Sequence, residues 1–445
     1  MKILKFGGTS LGTIENLYKV KNILDNDTDQ KIVVCSAMSG VTNQLISISE
    51  SVRLKNKEDI ELKLGELRNK HIDIIRGLID DHTVRNKVEN FVDEVSNKIL
   101  ELSYLEYTED LHSRIITYGE TLLTQMFSSF LDHIGISNVL LIAEEFMWVD
   151  TIENPNIKKI SKRLESILAS IPKSQLYITQ GFICKNANGD IDNLRRGGSD
   201  YSATIIGAAL AAREIEIWTD IDGVHNNDPR YVDATYSIPY LSYSEASKLA
   251  YFGAKVLHPQ TIVPVIDIDI PVVLKDTTNP DAAGTIISNK TYRQGVKGVS
   301  AKDDITGISI KSKKILKGYD FLTSIFEIFN KYQTTIDMVT TTEKSIFLTI
   351  DNPNKLIDIV NDINRLGEVT LMPHQSIICI VGESIIQDKN SHRIFEILNH
   401  ISVKMISYGS STNNISILVD SRDKIDTLRL LHKKLFLEQS EMVVL

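Results

Sequence analysis

The sequence predicts an α/β sandwich followed by two copies of a smaller α+β unit. Up to about residue 290, apolar runs rich in Val, Ile and Leu alternate with segments whose apolar residues recur at helical spacing. After about residue 300 the elements become shorter, and one series of them occurs twice. A chain of 445 residues is long enough for two or three domains, each with its own core.

The strands of the first part lack a strict alternation of polar residues, which predicts that they are buried on both faces. A first strand starts at Ile3, and later strands are predicted at residues 31–36, 138–143, 175–183, 214–219 and 271–275. Apolar residues recur at helical spacing from Ile14 to Leu24 and from Ile115 to Leu131, ahead of a stop at Gly135. Residues 55–110 are charged and helical, which is typical of a helical insertion.

The second part is predicted to hold two ferredoxin-like β-α-β-β-α-β units. In the first unit, strands are expected at 305–311, 335–339, 345–350 and 368–371, with helices at 319–331 and 354–366. In the second, strands are expected at 377–381, 403–407 and 415–419, with helices at 392–399 and 422–435. Residues 336–339 ahead of 345–348 match residues 403–406 ahead of 415–418, so the repeat is visible in the residues themselves.

Composition excludes several classes of function. The net charge of −9 and the lack of a Lys/Arg run interleaved with aromatics argue against a nucleic-acid partner. We expect no membrane span, because no apolar run approaches the required length, and no secretory leader. The cysteines Cys35, Cys184 and Cys379 are far apart, and the ten histidines are scattered, so a zinc site is improbable. Buried thiols in a reducing cytoplasmic compartment are expected.

Three loops that follow predicted strands are candidate anion sites. Lys5-Phe6-Gly7-Gly8-Thr9-Ser10 combines backbone donors with a cation, although an ordinary turn is the commoner meaning of Gly-Gly after a strand. Residues 35–43 carry small and hydroxyl side chains ahead of a helix, where a simple helix cap is equally probable. Residues 194–200 join arginines, two glycines, a hydroxyl and Asp200 at a helix that is expected to begin near Tyr201, with a capped turn as the alternative.

Two further segments add to this set. Residues 218–230 leave a strand through a long polar loop that could bind a nucleotide, although such loops are usually only solvated. Residues 253–259 place Lys255 at a helix end, where a lone lysine more often complements the helix dipole.

Together these segments resemble the aspartate kinases of the amino-acid kinase family, over essentially the whole chain. The residues that carry the resemblance are 5–10, 36–43, 119–120, 196–200, 218–220, 228–230 and 252–259. The resemblance implies a three-layer α/β sandwich of the amino-acid kinase type, followed by two ACT units that bind effector amino acids in this family. The expected domains are 1–292, with its helical insertion at about 55–110, then 300–375 and 376–445, where the last segment could return to the first ACT unit.

The resemblance further implies transfer of the γ-phosphoryl group of MgATP to the side-chain carboxylate of L-aspartate, the first step of lysine, threonine and methionine synthesis. That carboxylate has a pKa of about 3.9 and is already ionised at neutral pH, so no general base is needed. Catalysis then rests on alignment and on neutralising the charge of the transferring group. A homodimer or tetramer formed through the ACT units is also implied.

Residue roles carry over from the family position by position. The catalytic set is Lys5, Gly8 and Asp200, and the residues that bind L-aspartate are Thr42, Glu120, Arg196 and Ser199. The residues on the nucleotide side are Lys5, Phe6, Gly7, Gly8, Thr219, Asp220, His225, Arg230, Lys255 and Val256. No metal ligand is assigned, since Mg²⁺ is expected mainly through the ATP phosphates. The positions expected to bind lysine or threonine as an effector are Phe321, Leu322, Asp337, Thr341, Thr342 and Glu343.

The chain departs from the common family pattern at the rim of the expected site. Many relatives have glycine at the position of Arg195, tyrosine at the position of His225, and a threonine run where residues 190–193 stand. We expect altered affinity rather than lost activity. In the first ACT unit Gly318 and Asp320 also differ from the commonest residues, which leaves the effector open.

Two other functions remain as alternatives. One is another amino-acid kinase, acting on glutamate, carbamate or a nucleotide, which the helical insertion, Arg196 and the two repeats disfavour. The other is a catalytically dead amino-acid sensor, which the presence of Lys5, Asp200 and Lys255 disfavours. Because the ACT region runs to Leu445, a monofunctional enzyme without a fused homoserine dehydrogenase is expected.

Overall fold

The computed structural model describes residues 1–254, 257–290, 292, 294–312, 318–389 and 391–438. They divide into two compact units. The first unit holds Met1–Val224 and Leu257–Asn289, and the second holds the described residues of His225–Val256 and Lys290–Leu445.

The elements are numbered here in chain order. The strands are β1 (Lys2–Phe6), β2 (Lys31–Cys35), β3 (Val139–Leu141), β4 (Leu176–Gln180), β5 (Ile183–Lys185), β6 (Ile191–Asn193), β7 (Ile215–Thr219), β8 (Tyr240–Ser242), β9 (Val272–Asp276), β10 (Thr285–Ser288), β11 (Gly295–Ser312), β12 (Met338–Thr341), β13 (Ser345–Ile350), β14 (Gly367–Glu383), β15 (Met405–Ser407) and β16 (Asn414–Asp420). The helices are α1 (Ile14–Asn26), α2 (Val41–Arg53), α3 (Lys57–Leu78), α4 (His82–Leu102), α5 (Glu109–Ile116), α6 (Tyr118–His133), α7 (Ala143–Phe146), α8 (Ile157–Ser170), α9 (Gly198–Ala209), α10 (Tyr243–Tyr251), α11 (Val263–Ile266), α12 (Gly318–Lys331), α13 (Leu356–Ile363), α14 (His392–Ile397) and α15 (Lys424–His432).

The first unit is built on a largely parallel sheet. Within this unit its strands lie in the order β3-β4-β2-β1-β7-β9-β10, and only β10 is antiparallel to its neighbour. The central strand is β1, whose Lys5 lies between Val34 of β2 and Ile217 of β7. Because neighbouring parallel strands end at the same edge, the loops after β1, β2 and β7 meet there, where ligands of open α/β sheets bind.

Helices pack on this sheet and form its main apolar core. The segment predicted to be helical between residues 55 and 110 forms α3 and α4, whose buried faces join α1, α2 and α6 in one hydrophobic cluster. The predicted stop of α6 is confirmed, since Gly135 follows the helix with a left-handed φ of 86°. Among the described helices, none is long and apolar enough to cross a membrane.

One predicted strand is broken in the structure. Residues 175–183 were expected to form a single strand, but β4 ends at Gln180 and β5 begins at Ile183. Phe182 between them has a φ of 67°, and its N–H donates to Ser202 Oγ of α9 at 2.9 Å. This left-handed residue turns the chain out of the sheet toward the start of α9.

The second unit contains a six-stranded antiparallel sheet in the order β12-β13-β11-β14-β16-β15. The two repeats predicted from the sequence form its two halves. The two central strands, β11 and β14, are long enough to belong to each half in turn. The strands expected at 368–371 and 377–381 are one strand, β14, because the chain bends at His374, with a φ of 56°, without leaving the sheet. A register shift between Lys302 and Ile305 gives β11 a matching irregularity.

Each half of this sheet has its own core. One cluster packs α12 and α13 on β11 and β13 around Ile308, and the other packs α14 and α15 on β14 and β16 around Ile378. The domain boundaries given above remain predictions. Residues 225–254, which we assigned to the first domain, cluster with the second unit, where Glu245 of α10 forms a buried ion pair with Lys297 of β11 at 2.8 Å.

Candidate active site

A buried ion pair lies at the carboxyl edge of the first unit's sheet. Lys5, at the end of β1, is only 8% exposed, and its Nζ lies 2.5 Å from Asp200 Oδ1 in the first turn of α9. Both residues line a cavity of about 720 Å³. The acid therefore fixes a cation in the wall of a cavity, beside a helix N-terminus that itself favours anions.

The loop after β1 packs closely on the loop after β2. A Cβ at Gly8 would lie 2.8 Å from the carbonyl oxygen of Ala37, so only glycine fits there. The Gly8 oxygen accepts the Ser39 N–H at 3.1 Å. The Gly8 N–H has no hydrogen-bond partner among the described residues, which leaves it as a donor for a ligand.

Two predicted residues of this loop have other roles in the structure. The N–H of Gly7, which we expected to face a phosphate, donates to the carbonyl oxygen of Trp218 at 3.2 Å. The side chain of Phe6 is fully buried and stacks on Trp218, with ring centroids 5.8 Å apart. In this structure both residues join β1 to β7.

The third predicted loop, residues 194–200, turns sharply into α9. Arg195 and Gly197 both have left-handed φ angles, of 63° and 69°, and a Cβ at Gly197 would lie 2.9 Å from His258 Cβ. The helix begins at Gly198, three residues before the predicted start at Tyr201. Ser199 and Asp200 therefore lie in the first turn, where their side chains line the cavity.

The four residues expected to bind the amino acid all line this cavity, together with Lys5 and Asp200. They are Thr42, Glu120, Arg196 and Ser199. Thr42 is in the first turn of α2, whose N-terminus lacks a side-chain cap because Gly40 stands at the N-cap position. Arg196 is exposed and forms no ion pair with any described residue, so its guanidinium is available to a carboxylate.

Glu120 is the most strongly perturbed acid of the cavity. It lies on α6, is 3% exposed, and its Oε1 accepts the Ala37 N–H at 3.1 Å. Its Oε2 is buried without a hydrogen-bond partner among the described residues. Burial raises the pKa of Glu120 to about 8, because the charged form loses solvation that one amide bond does not replace. The site thus lacks a cationic partner for this carboxylate.

The sequence analysis did not assign several other cavity residues. They are Ser36, Ile46, Glu109, Asp110, His112, Ser113, Ile116, Phe182, Asn193 and Arg195. Ser36 belongs to the second candidate loop and Arg195 to the third, where it was also noted as a departure from the family pattern. Asn193 was noted only as part of such a departure. Most residues of α5 carried no sequence signal, because the predicted helical insertion ended at about residue 110 and the next helical pattern began only at Ile115.

Beyond the loop after β1, the other six expected nucleotide residues fall into three groups. Thr219 is the last residue of β7, the neighbour of β1, and its hydroxyl donates to Oδ1 of the next residue, Asp220, at 3.1 Å. His225 and Arg230 belong to the second unit, where Arg230 Nε donates to Asp228 Oδ1 at 2.9 Å. Lys255 and Val256 lie outside the described residues.

The expected effector residues lie in the second unit. Phe321 is 4% exposed in the core around Ile308, and Leu322 packs against the same core. The buried carboxylate of Asp337 receives Lys302 Nζ at 2.6 Å and the Tyr251 hydroxyl at 2.7 Å. The remaining three, Thr341, Thr342 and Glu343, are exposed at the end of β12 and in the turn after it.

Comparison with known proteins identifies the family. Residues 1–276 match the amino acid kinase family, and residues 378–435 match an ACT domain. Aspartokinase 2, chloroplastic, of Arabidopsis thaliana is 31% identical, over 98% of this chain and 84% of the relative. The chain belongs to the aspartokinases of the amino acid kinase family.

Solved aspartokinase structures share the fold over almost the whole chain. The crystal structure of E. coli aspartokinase III in complex with aspartate and ADP, an R-state, matches with a TM-score of 0.85 at 28% identity, covering 98% of this chain and 100% of that one. The same enzyme in complex with lysine and aspartate, a T-state, matches with a TM-score of 0.80 at 29% identity, covering 98% and 99%. The predicted kinase fold with C-terminal ACT units is confirmed, and the chain is an aspartokinase with the architecture of an allosteric enzyme.

Proposed function

We propose that this aspartokinase transfers the γ-phosphoryl group of ATP to the side-chain carboxylate of L-aspartate, which gives 4-phospho-L-aspartate and ADP. The observation that carries the proposal is Glu120, whose buried Oε2 lacks a partner in the cavity that also holds Arg196 and the Lys5–Asp200 pair. An α-amino acid supplies both missing partners, an ammonium for Glu120 and a carboxylate for Arg196.

The reaction forms a bond between the γ-phosphorus and a carboxylate oxygen, and breaks the bond between that phosphorus and the bridging oxygen of ADP. The attacking carboxylate is already ionised, so no residue has to remove a proton. Lys5 is assigned to the transferring group, and the free N–H of Gly8 is a second donor to it. Asp200 holds the Lys5 ammonium in place, and Thr42 and Ser199 are assigned to the amino acid.

The nucleotide is assigned to the edge of the first unit's sheet next to β7, with Thr219 and Asp220. The nucleotide roles of His225, Arg230, Lys255 and Val256 rest on the family resemblance alone. Within the described part of the chain, no cluster of His, Cys, Asp or Glu side chains could hold a metal ion by itself. As the family resemblance implies, Mg²⁺ is assigned to the nucleotide phosphates, where it would neutralise part of their charge, and Asp200 is the acid of the site that would help to hold it.

The test is ATP turnover with L-aspartate, in which hydroxylamine traps the acyl phosphate as a hydroxamate. Hydroxamate is expected with L-aspartate, and neither with L-glutamate nor without an acceptor. Lys5→Met should abolish it, whereas Lys19→Met, which breaks an exposed pair with Glu15 on α1, should not. Folded chain that binds ATP but makes no hydroxamate would contradict the proposal and favour the sensor function.

We further propose that the enzyme acts in the cytoplasm, in lysine, threonine and methionine synthesis, and that lysine or threonine inhibits it. Inhibition would arise because the effector binds one arrangement of the ACT units better, which shifts the population away from the active form. The buried Asp337, held by Lys302 and Tyr251, is the acid assigned to the effector ammonium. Equal rates with and without every amino acid of this group would contradict the proposal.

A homodimer or tetramer formed through the ACT units is part of the same proposal. The two outer strands of the second sheet expose apolar side chains at matching positions of the repeat, Val339 at 46% on β12 and Ile406 at 45% on β15. Because β12 and β15 also contact each other, the exposed apolar side chains rather than free strand edges are what favour association with another chain.

A further inference from the structure

The turn that presents Arg196 is held by the residue before it. Arg195 is one of only two non-glycine residues with a left-handed φ among the described residues that line the cavity, and the other is Phe182. A large side chain rarely adopts this conformation, and such residues persist where their surroundings impose it, often at functional sites.

Both the main chain and the side chain of Arg195 are anchored. Its N–H donates to Asn193 Oδ1 at 3.0 Å, and its carbonyl oxygen accepts the Gly198 N–H at 3.0 Å. Its guanidinium forms two hydrogen bonds with Asp192, Nη1 to Oδ1 at 3.0 Å and Nη2 to Oδ2 at 3.3 Å. Paired bonds of this kind fix orientation as well as distance.

The anchor extends from β6 to helix α5. Arg195 Nη1 also lies 3.4 Å from Ser113 Oγ, which accepts Asn193 Nδ2 at 3.2 Å. Asn193 is almost fully buried, so this contact is shielded from water. The side chains of Asp192, Asn193 and Ser113 thus hold the turn that starts at Arg195 against two other elements of the cavity wall.

The two neighbouring arginines of this turn differ in whether they form an ion pair. Asp192 neutralises Arg195, whereas Arg196, the next residue, forms no ion pair with any described residue. We infer that Arg195, with Asp192 as its counter-charge, is a positioning residue that directs the Arg196 guanidinium toward the carboxylate of the amino-acid substrate. This inference rests on the proposed function, and it assigns Asp192 and Arg195 no contact with the substrate.

The test measures L-aspartate affinity and turnover separately. Arg195→Gln and Asp192→Asn should each raise the KM and the dissociation constant for L-aspartate about fivefold, with kcat and the KM for ATP within about twofold. The double variant should bind L-aspartate no more weakly than either single variant, because each substitution removes the same interaction. Arg195→Lys should restore part of the affinity, since lysine keeps the charge but not the paired geometry.

The matched control is Arg53→Gln. Arg53 forms the same kind of paired contact with an acid three residues earlier, Glu50, on an exposed part of α2 that does not line the cavity. This variant should leave the KM and the dissociation constant for L-aspartate unchanged.

Three results would overturn the inference. If Asp192→Asn tightens L-aspartate binding, Arg195 is itself a substrate ligand that Asp192 holds back. If Arg195→Gln leaves the KM for L-aspartate unchanged, as Arg53→Gln should, the pair does not position Arg196. The same holds if Arg195→Gln raises the KM for ATP as much as the KM for L-aspartate. In these cases the unaltered chain still binds and phosphorylates L-aspartate. If it does neither, the proposed function fails, and this inference fails with it.

Discussion

At the scale of single residues, Glu120 makes substrate binding depend on pH. Burial raises its pKa to about 8 in the free site, so most of it is protonated at pH 6 and 7. Only the ionised form can pair with an ammonium. The KM for L-aspartate should therefore fall as pH rises from 6, by up to about tenfold per unit, and level off near pH 8.

The check is the KM for L-aspartate between pH 6 and 8.5, in the unaltered chain and in Glu120→Gln. The glutamine variant should bind weakly at every pH and lose the slope. Its thermal midpoint at pH 8 should be no lower than that of the unaltered chain, because a buried charge has been removed. A flat KM in the unaltered chain would contradict the assignment of Glu120 to the ammonium.

Gly8 tests how tightly the two loops pack. An added Cβ would meet the Ala37 carbonyl oxygen at 2.8 Å, and since that atom belongs to the backbone, the loop beside Lys5 must move. Gly8→Ala should lower kcat by about 10- to 100-fold, because small displacements of catalytic groups are costly. Gly65→Ala is the control. Nothing lies within 4 Å of a Cβ at this position inside α3, so it should raise stability by about 1 kcal/mol and keep kcat.

At the scale of elements, α3 carries a buried histidine that makes the first unit acid-sensitive. His71 is fully buried, its Nδ1 lies 2.8 Å from the Leu67 oxygen, and burial lowers its pKa to about 4. An unfolded histidine titrates near 6.5, so the unfolded chain gains a proton first as pH falls. Stability should decline between pH 6.5 and 4, by up to about 3 kcal/mol from this residue.

Urea unfolding followed by tryptophan fluorescence measures this effect, because both tryptophans, Trp148 and Trp218, lie in the first unit. His71→Leu should reduce the loss of stability between pH 6.5 and 4, whereas His82→Gln at the exposed start of α4 should not. If both variants lose the same stability between pH 6.5 and 4, groups other than His71 cause the acid sensitivity.

At the scale of the whole molecule, association should depend on the outer strands of the second sheet. Val339→Glu adds a charge to an exposed position of β12, so sedimentation velocity should show a shift from dimer or tetramer toward monomer. Val339→Thr keeps the branched shape and should associate like the unaltered chain. An unaltered chain that is monomeric at every concentration would contradict the proposed assembly.

Many of the elements could be predicted from the sequence, and the family resemblance supplied a set of candidate ligand-binding residues. Strand and helix patterns are local, so β13, the end of α6 and the two-fold repeat were predicted correctly. The family resemblance, rather than any local pattern, singled out Lys5, Thr42, Glu120, Arg196, Ser199 and Asp200, and the structure brings all six to the wall of one cavity. Their roles there remain predictions.

Tertiary structure alone decided how these residues are partnered. The Gly7 N–H is used by Trp218 and Phe321 is buried in a core, because hydrogen bonds and burial depend on segments far apart in the chain. The joining of two predicted strands into β14 also depends on a long partner, β11. The pKa of Glu120 and the anchoring of Arg195 by Asp192 and Ser113 likewise arise only when the folded chain excludes water and brings distant polar groups within bonding distance.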